Sequence, residues 1–297
     1  MQIDAGSRLR SAVAERLVPC VGIHDVFSAS VAARRFDALF VSGFGFAASH
    51  YGMPDVGFIA WPDVVAFVRR LRAVLPRHHL LVDIDDGYVD VDVACHVVRE
   101  LHAAGASGVV LEDQRRPRRC GHLDGKQVLE LEEFLPKLER VLAVRGDLFV
   151  VARTDASGTD EVVRRVAAFE KAGADAVLAD GLRGLDEIAR IRAAVRCPIA
   201  FNQIAGGKSV ALSMDEMALA GVGIAIYSTP CLFAAQQAME DALDALRDTG
   251  RLDPRGRIDL AACNRVLDAN LAGTVEPPAI GGVRARAATA GTAGRGE

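Results

Sequence analysis

The feature that most constrains this chain is an alternation: short apolar runs of strand length recur along it, each separated from the next by an amphipathic stretch. About eight runs can be placed, at Val18–Val21, Ala38–Val41, Leu80–Ile84, Gly108–Leu111, Leu148–Ala152, Ala176–Ala179, Pro198–Phe201 and Gly223–Ile226. Strands buried on both faces need continuous apolar runs, and parallel neighbours need crossovers long enough to hold a helix. One such crossover, Trp61–Leu75, sets Val64, Val65, Phe67, Val68 and Leu71 on a single stripe, as a helix with one buried face requires. The expected fold is α/β, a (β/α)8 TIM-type barrel of about 250 residues, which a chain of 297 residues accommodates with a short extension. Residues 1–247 form that barrel. After Arg247 the polar turn "DTGRLDPRGR" leads into a helical extension, 248–273, with a helix at Ile258–Leu271. The stretch 274–297 is rich in Gly, Ala, Pro and Arg, and is expected to be a disordered tail because it cannot bury enough surface to offset its ordering entropy.

A hydrophobic share of 51% with only 5% aromatics suits helix-covered parallel sheet and excludes a disordered chain. A net charge of -4 gives no electrostatic reason to seek nucleic acid or a membrane surface, so a small molecule is the expected partner. Six scattered cysteines without CxxC spacing read as reduced thiols. Met1–Arg10 holds no apolar run of signal-peptide length and no long uncharged apolar stretch follows, so the expected location is the cytoplasm.

Polar residues collect where the apolar runs end: Ser42 and Gly43, then Asp83, Asp85 and Asp86, then Glu112, Arg153, Asp180, Asn202 and Ser228. Barrel enzymes build their sites on that C-terminal face. Any one of these residues reads equally well as a helix cap or loop residue; their recurrence at successive strand ends reads as a site. In "LLVDIDDGY", strand alternation points Asp83 and Asp85 to the same side, with Asp86 opening the loop. Adjacent carboxylates repel unless a cation joins them, and with Glu112 they make a hard-oxygen set suited to Mg²⁺ or Mn²⁺. The next loop, "EDQRRPRRCGHLDGK", crowds Arg115, Arg116, Arg118, Arg119, Cys120, His122 and Lys126 together. It lacks the interleaved aromatics of a nucleic-acid-binding run. Its cations are expected to lower the thiol pKa of Cys120, fitting it for proton transfer near neutral pH.

Over roughly Val18–Ala245 the chain resembles the isocitrate lyase and phosphoenolpyruvate mutase superfamily. The resemblance is carried, in order, by "SGFGFAAS" (Ser42–Ser49), "GMPDVGF" (Gly52–Phe58), "DIDDGY" (Asp83–Tyr88), "LEDQRRPRRCGHLDGK" (Leu111–Lys126), "ARTDA" (Ala152–Ala156), "AGADAVLAD" (Ala172–Asp180) and "FNQIAGGKS" (Phe201–Ser209). It implies a barrel whose eighth helix is exchanged between subunits, commonly in a homotetramer. It also implies that Ser42, Gly43 and Phe44 bind a substrate carboxylate through a hydroxyl and backbone N–H groups, with Gly121, Asp180 and Asn202 completing the substrate-binding set. Asp55, Asp83, Asp85 and Glu112 would hold Mg²⁺ directly or through water, and Arg153 would clamp a carboxylate with its planar fork. Within the superfamily "CGH" marks the branch that breaks carbon–carbon bonds, so Cys120, Gly121 and His122 imply lyase or hydrolase chemistry on a mobile gating loop.

Five positions depart from the family pattern: Phe40 for a usual Tyr or Trp, Arg118 for Lys, Asp180 for Glu, Ala205 for Glu, and Phe233 for Arg. The last two remove partners for a third carboxylate and argue against a tricarboxylate substrate. The expected reaction is Mg²⁺-dependent cleavage of a small 2-hydroxy or 2-oxo dicarboxylate, of the oxaloacetate or substituted-malate type, with Cys120 protonating the released carbon. Ser228, in "IYSTP", resembles the serine of oxaloacetate acetylhydrolases, where a hydroxyl could hold a hydrated 2-oxo group. The alternatives are phosphonate chemistry, since carboxyphosphonoenolpyruvate mutases also carry "KRCGH", and a catalytically impaired binding or assembly protein.

Overall fold

A computed structural model describes residues 4–252 and 258–278. Its elements run α1 (Ala5–Glu15), β1 (Val18–Ile23), α2 (Val26–Ala32), β2 (Ala38–Val41), α3 (Gly43–Phe46), a π-helical turn (Ala47–Tyr51), α4 (Trp61–Val74), β3 (His79–Asp83), α5 (Val91–Ala103), β4 (Gly108–Glu112) and α6 (Leu131–Val144). They continue with β5 (Phe149–Thr154), α7 (Thr159–Ala172), β6 (Ala176–Ala179), α8 (Leu185–Ala194), β7 (Ile199–Gln203), α9 (Met214–Leu219), β8 (Val222–Tyr227), α10 (Pro230–Thr249) and α11 (Leu260–Leu271). All eight strands are parallel and close in sequence order, β8 pairing with β1. The fold is a (β/α)8 barrel, and each apolar run of the sequence overlaps one of its strands, with Ile84, Leu148 and Pro198 falling just outside.

Two apolar cores follow from the two-residue period of a strand. Leu39, Val41, Leu80, Val82, Val109 and Val150 point outward and pack under the helices, where α4 supplies Val64, Val65, Phe67, Val68 and Leu71. The alternate residues, among them Cys20, Phe40, Leu81, Val110, Val151, Leu178, Ala200 and Ile226, fill the barrel interior. Leu9 and Val13 of α1 join this inner cluster and plug its N-terminal end. The sequence reading gave the first residues no such helix. Asp147 fixes α1 there by accepting from the N–H groups of Gly6 at 2.8 Å and Ser7 at 3.0 Å, beside the Arg10–Asp175 ion pair at 2.9 Å.

Beyond the barrel, α10 carries no buried residue. Between it and α2 lies an apolar cavity of ≈ 940 Å³ lined by Phe27, Val31, Phe36, Leu232 and Met239. The α11 extension lies against α2, Asn270 Nδ2 donating to Ser30 Oγ at 2.8 Å. Of the tail expected to be disordered from Thr274, residues 274–278 are described and Val275 is packed at 6% exposure, a difference that follows from its apolar contact with the core; residues 279–297 lie outside the described residues. Among the described residues no helix is long and apolar enough to cross a membrane.

The close approach of β1 to β8 generates a test. Gly22 occupies the next inward position of β1, and a Cβ there would sit 2.0 Å from the Ser228 carbonyl oxygen and 2.7 Å from that of Tyr227. Backbone offers no flexible side chain to yield, so Gly22→Ala is expected to cost about 1–3 kcal/mol in urea unfolding. An unchanged unfolding midpoint would show that the two strands do not need this contact.

Candidate active site

Continuing the inward series by one more step at each strand generates the mouth of the barrel. Two residues past Phe40 comes Ser42, past Leu81 Asp83, past Val110 Glu112, past Val151 Arg153, past Leu178 Asp180, past Ala200 Asn202, and past Ile226 Ser228. Six of the seven line one cleft together with Phe40, Phe44, Asp55, Cys120, Gly121, His122, Leu178 and Ile204, and the seventh, Glu112, pairs with Arg118 and Arg153. Asp85 lies beyond β3 with φ +51°, and its turn brings the carboxylate beside that of Asp83, both about 3 Å from where a Cβ on Gly43 would stand. Glycine at position 43 is what lets this acidic pair approach the start of α3.

Six carboxylates, from Asp55, Asp83, Asp85, Glu112, Asp155 and Asp180, thus share the mouth with three basic side chains that pair into them. Arg118 is 1% exposed and its guanidinium spans Asp55, Glu112 at 2.9 Å and Asp85 at 3.3 Å. Arg153 pairs with Asp155 at 2.9 Å, Asp180 at 2.8 Å and Glu112 at 3.3 Å. Lys126 pairs with Asp155 at 2.8 Å. Burial raises the Asp85 carboxyl well above its usual range, and neighbouring Asp83, Asp55 and Glu112 add to the effect. Burial likewise raises Asp83 and pushes Glu112 up to about 8. Asp180 goes the other way: burial opposes its charge, but Arg153, His122 and Asn202 together hold it below the ordinary carboxylate range.

The excess of buried acid is a physical reason for a further cation. Asp85 Oδ1 and Glu112 Oε2 are buried and accept no hydrogen bond, having only ion pairs at 3.3 Å. Among the described residues no three His, Cys, Asp or Glu side chains converge as a direct ligand set. That combination fits Mg²⁺, which takes one or two carboxylates and keeps several waters, better than a cation caged by protein.

The loop after β4 is folded down over the cleft and leaves ≈ 20 Å³ inside it, about room for one water. Cys120 N–H donates to the Asp55 carbonyl at 3.1 Å, and His122 Nδ1 accepts from the Lys208 N–H at 2.9 Å, so the loops after β2 and β7 hold it from two sides. His122 Nε2 faces Asp180 at 3.4 Å and Asn202 at 3.2 Å. Gly121 crosses the Arg153–Asp180 pair so closely that a Cβ would stand 1.8 Å from Asp180 Oδ2 and 2.3 Å from Arg153 Nη2. Ser228 Oγ donates to Asn202 Oδ1 at 2.6 Å, and Ser42 Oγ accepts from the Gly45 N–H at 3.2 Å. Phe44 meets Phe233 edge to face, with ring centroids 6.2 Å apart.

Two sequence expectations change here. The Cys120 thiol is not activated by the basic run: burial pushes it up to about 12, with Asp55 adding to the shift. The arginines that were to lower it are paired elsewhere, Arg115 with Glu133 at 2.6 Å and Arg116 with Asp86 at 2.7 Å. Such a thiol stays protonated at neutral pH. Arg153 has more protein partners than the sequence suggested: its Nε and Nη2 form a fork on Asp155, and its Nη groups also pair with Asp180 and Glu112 while lining the cleft. Asp155 received no role from the sequence, although its i, i+2 spacing from Arg153 places both on one side of the chain. Lys208 was also passed over; its ammonium holds the loop through the Leu123 carbonyl at 3.0 Å and Asp124 at 2.6 Å.

Comparison with known proteins agrees with this geometry. The sequence model of the phosphoenolpyruvate phosphomutase family matches residues 12–247. The chain is 33% identical over 242 residues to 2,3-dimethylmalate lyase of Eubacterium barkeri, covering 79% of this chain and 83% of that one. It superposes on oxaloacetate acetylhydrolase in complex with 3,3-difluorooxalacetate with a TM-score of 0.86 and 29% identity, covering 91% of this chain and 95% of the other. With phosphonopyruvate hydrolase in complex with oxalate and Mg²⁺ the TM-score is 0.79 at 27% identity, covering 90% and 96%.

The crossing of Gly121 supplies a prediction. Gly121→Ala cannot close over Arg153 and Asp180, so turnover is expected to fall by about 10²-fold, the size of effect that misplacement by an ångström produces, while the thermal midpoint stays near wild type. Wild-type turnover in this variant would mean that the closed loop is not the reactive state.

Proposed function

Because the chain belongs to the phosphoenolpyruvate phosphomutase family, and is an enzyme of the isocitrate lyase and phosphoenolpyruvate mutase superfamily, we propose that it cleaves a carbon–carbon bond in a small 2-oxo or 2-hydroxy dicarboxylate with the help of Mg²⁺. The observation that carries this reading is a narrow cleft lined by both Arg153 and a Cys120 thiol that burial keeps protonated. A Mg²⁺ ion held by Asp85, and through water by Asp55, Asp83 and Glu112, would supply electrophilic stabilisation of charge developing on the substrate; Mn²⁺ offers the same coordination chemistry.

The chain's own groups account for the remaining steps. The substrate carboxylate takes hydrogen bonds from the Ser42 hydroxyl and from the N–H groups of Gly43 and Phe44, first-turn donors that no preceding helical carbonyl can accept. The Arg153 edge orients that carboxylate and its neighbouring C2 oxygen. As the C2 hydroxyl gives its proton to a carboxylate of the Asp83, Asp85 and Glu112 cluster and becomes C=O, the C2–C3 bond breaks with its electron pair on C3, and Cys120 Sγ delivers its proton to that carbon; a thiol pushed up to about 12 carries that proton at neutral pH. His122, Asn202 and Asp180 keep the loop seated, which excludes water from the charged intermediate. Ser228, which lines the cleft and donates to Asn202, offers a hydroxyl that a hydrated 2-oxo group could use, which supports an oxaloacetate-type substrate over a tricarboxylate. Phe40, Phe44 and Ile204 leave the rest of the cleft apolar and narrow.

The helix α10, without a buried residue beside an apolar cavity of ≈ 940 Å³, supports exchange of this helix with a second copy in a homotetramer. Six free cysteines support a reducing, cytoplasmic location. Light scattering on the full chain is expected to give the mass of four subunits; a monomer would overturn the exchange.

The reaction itself is tested by incubating the enzyme and Mg²⁺ with oxaloacetate, 2,3-dimethylmalate, 2-methylisocitrate and phosphonopyruvate, and reading products by ¹H and ³¹P NMR. Oxalate with acetate, or a 2-oxo acid from the substituted malate, is expected, and excess EDTA should abolish it. Turnover of the phosphonate alone would replace this reading with phosphorus–carbon chemistry, and full activity in EDTA would remove the metal.

A further inference from the structure

Under helix α7, behind the Arg153 side of the cleft, lies a buried acid that the reaction scheme leaves idle. The β4–β5 ladder ends at the pair Glu112–Arg153. Asp113 carries the grip one residue further and takes hold of three consecutive residues. Its N–H donates to the Arg153 carbonyl at 3.1 Å, its Oδ2 accepts from Thr154 Oγ1 at 2.6 Å, and its Oδ1 accepts from the Asp155 N–H at 3.0 Å. Arg165 of α7 completes the set, with Nη1 on Asp113 Oδ2 at 2.9 Å and Nε on Glu161 Oε1 at 2.6 Å. Asp113 is fully buried and Arg165 is 3% exposed.

Strand parity turns Asp113 and Thr154 to the outer face, opposite to Glu112 and Arg153. The other outward residues of these two strands, Val109, Leu111, Val150 and Ala152, are apolar and pack under the helices. Stability gives little reason for an ion pair among them, since a buried pair commonly contributes no more than apolar side chains of the same volume. Geometry does give one. The pair pins the backbone of Asp155, whose carboxylate holds Arg153 Nε at 2.9 Å and Nη2 at 3.0 Å. We propose that Asp113 and Arg165 are positioning residues for Arg153, setting the plane of its guanidinium from helix α7 through Thr154 and Asp155. A planar fork meets a substrate carboxylate at two points only when that plane is fixed. Neither Asp113 nor Arg165 lines the cleft, so both act through Arg153 alone.

The inference rests on the reading of Arg153 as a carboxylate clamp, and a cycle of variants separates the two. The quantity measured is the dissociation constant of oxalate, the smallest dicarboxylate, titrated calorimetrically into the full chain with saturating Mg²⁺. Arg153→Lys keeps a charge for oxalate but offers Asp155 no fork, and is expected to bind more weakly than wild type. Arg165→Met is expected to weaken oxalate about 2-fold to 30-fold, the range for residues that act on a ligand without touching it. Added to Arg153→Lys, it is expected to cost no further affinity, because its effect passes through the fork already lost. Wild-type affinity in Arg165→Met, or the same loss in both backgrounds, would overturn the positioning role and leave the clamp standing. If wild type binds no oxalate, or Arg153→Lys binds it as tightly, the clamp reading falls and the inference with it. A crystal structure of Arg165→Met gives a readout without ligand: the Arg153–Asp155 fork is expected to open, and an unchanged fork would count against the proposal as firmly as the binding result. Should Arg165→Met fail to fold, Thr154→Val removes one donor to Asp113 at nearly constant volume and takes its place in both measurements, with a smaller loss expected.

Discussion

A strand in a closed barrel has no choice about parity: every second residue must point inward, and the inward residues of all eight strands must share one narrow space. Inside this barrel that space is filled by Phe40, Leu81, Val110, Val151, Leu178, Ala200 and Ile226. One step further along the same strands the same rule sets Ser42, Asp83, Glu112, Arg153, Asp180, Asn202 and Ser228 against one another. The site is the polar continuation of the apolar core. Its precision comes from strand register rather than from loops.

Parity also creates the electrical problem that the loops then address. Carboxylates pressed together away from water are driven toward their neutral forms, which is why burial raises Asp83, Asp85 and Glu112. Arg153, Lys126 and Arg118 offset part of this charge, Arg118 and Lys126 from the loop after β4. The same loop sets the Cys120 thiol in the wall of the cleft, where burial keeps it protonated.

The eight strands and the stripe of α4 were legible in the sequence because apolar period is a strong signal when it extends over a whole element. The strand-end residues were legible for the same reason, each following an apolar run. What stayed hidden depends on partners distant in sequence. Helix α1 buries little beyond Ala5, Leu9 and Val13, too short a stripe to stand out in a polar segment. The basic loop suggested an activated Cys120, but that inference needed to know that Arg115 and Arg116 reach Glu133 and Asp86 instead. The contact of Arg153 with Asp155, two residues on, received no notice in the sequence, although it fixes the guanidinium. Arg118 stood out in the sequence only as a departure from lysine; its reach across three carboxylates is a property of the folded loop.

The central claim is that the excess of buried acid at the barrel mouth is the seat of a divalent cation. An anomalous difference map from crystals of the full chain grown with Mn²⁺ tests it directly. The account predicts a peak beside Asp85, within the group formed with Asp83, Asp55 and Glu112; a map with no peak there, or with Mn²⁺ bound only elsewhere on the protein, would contradict it.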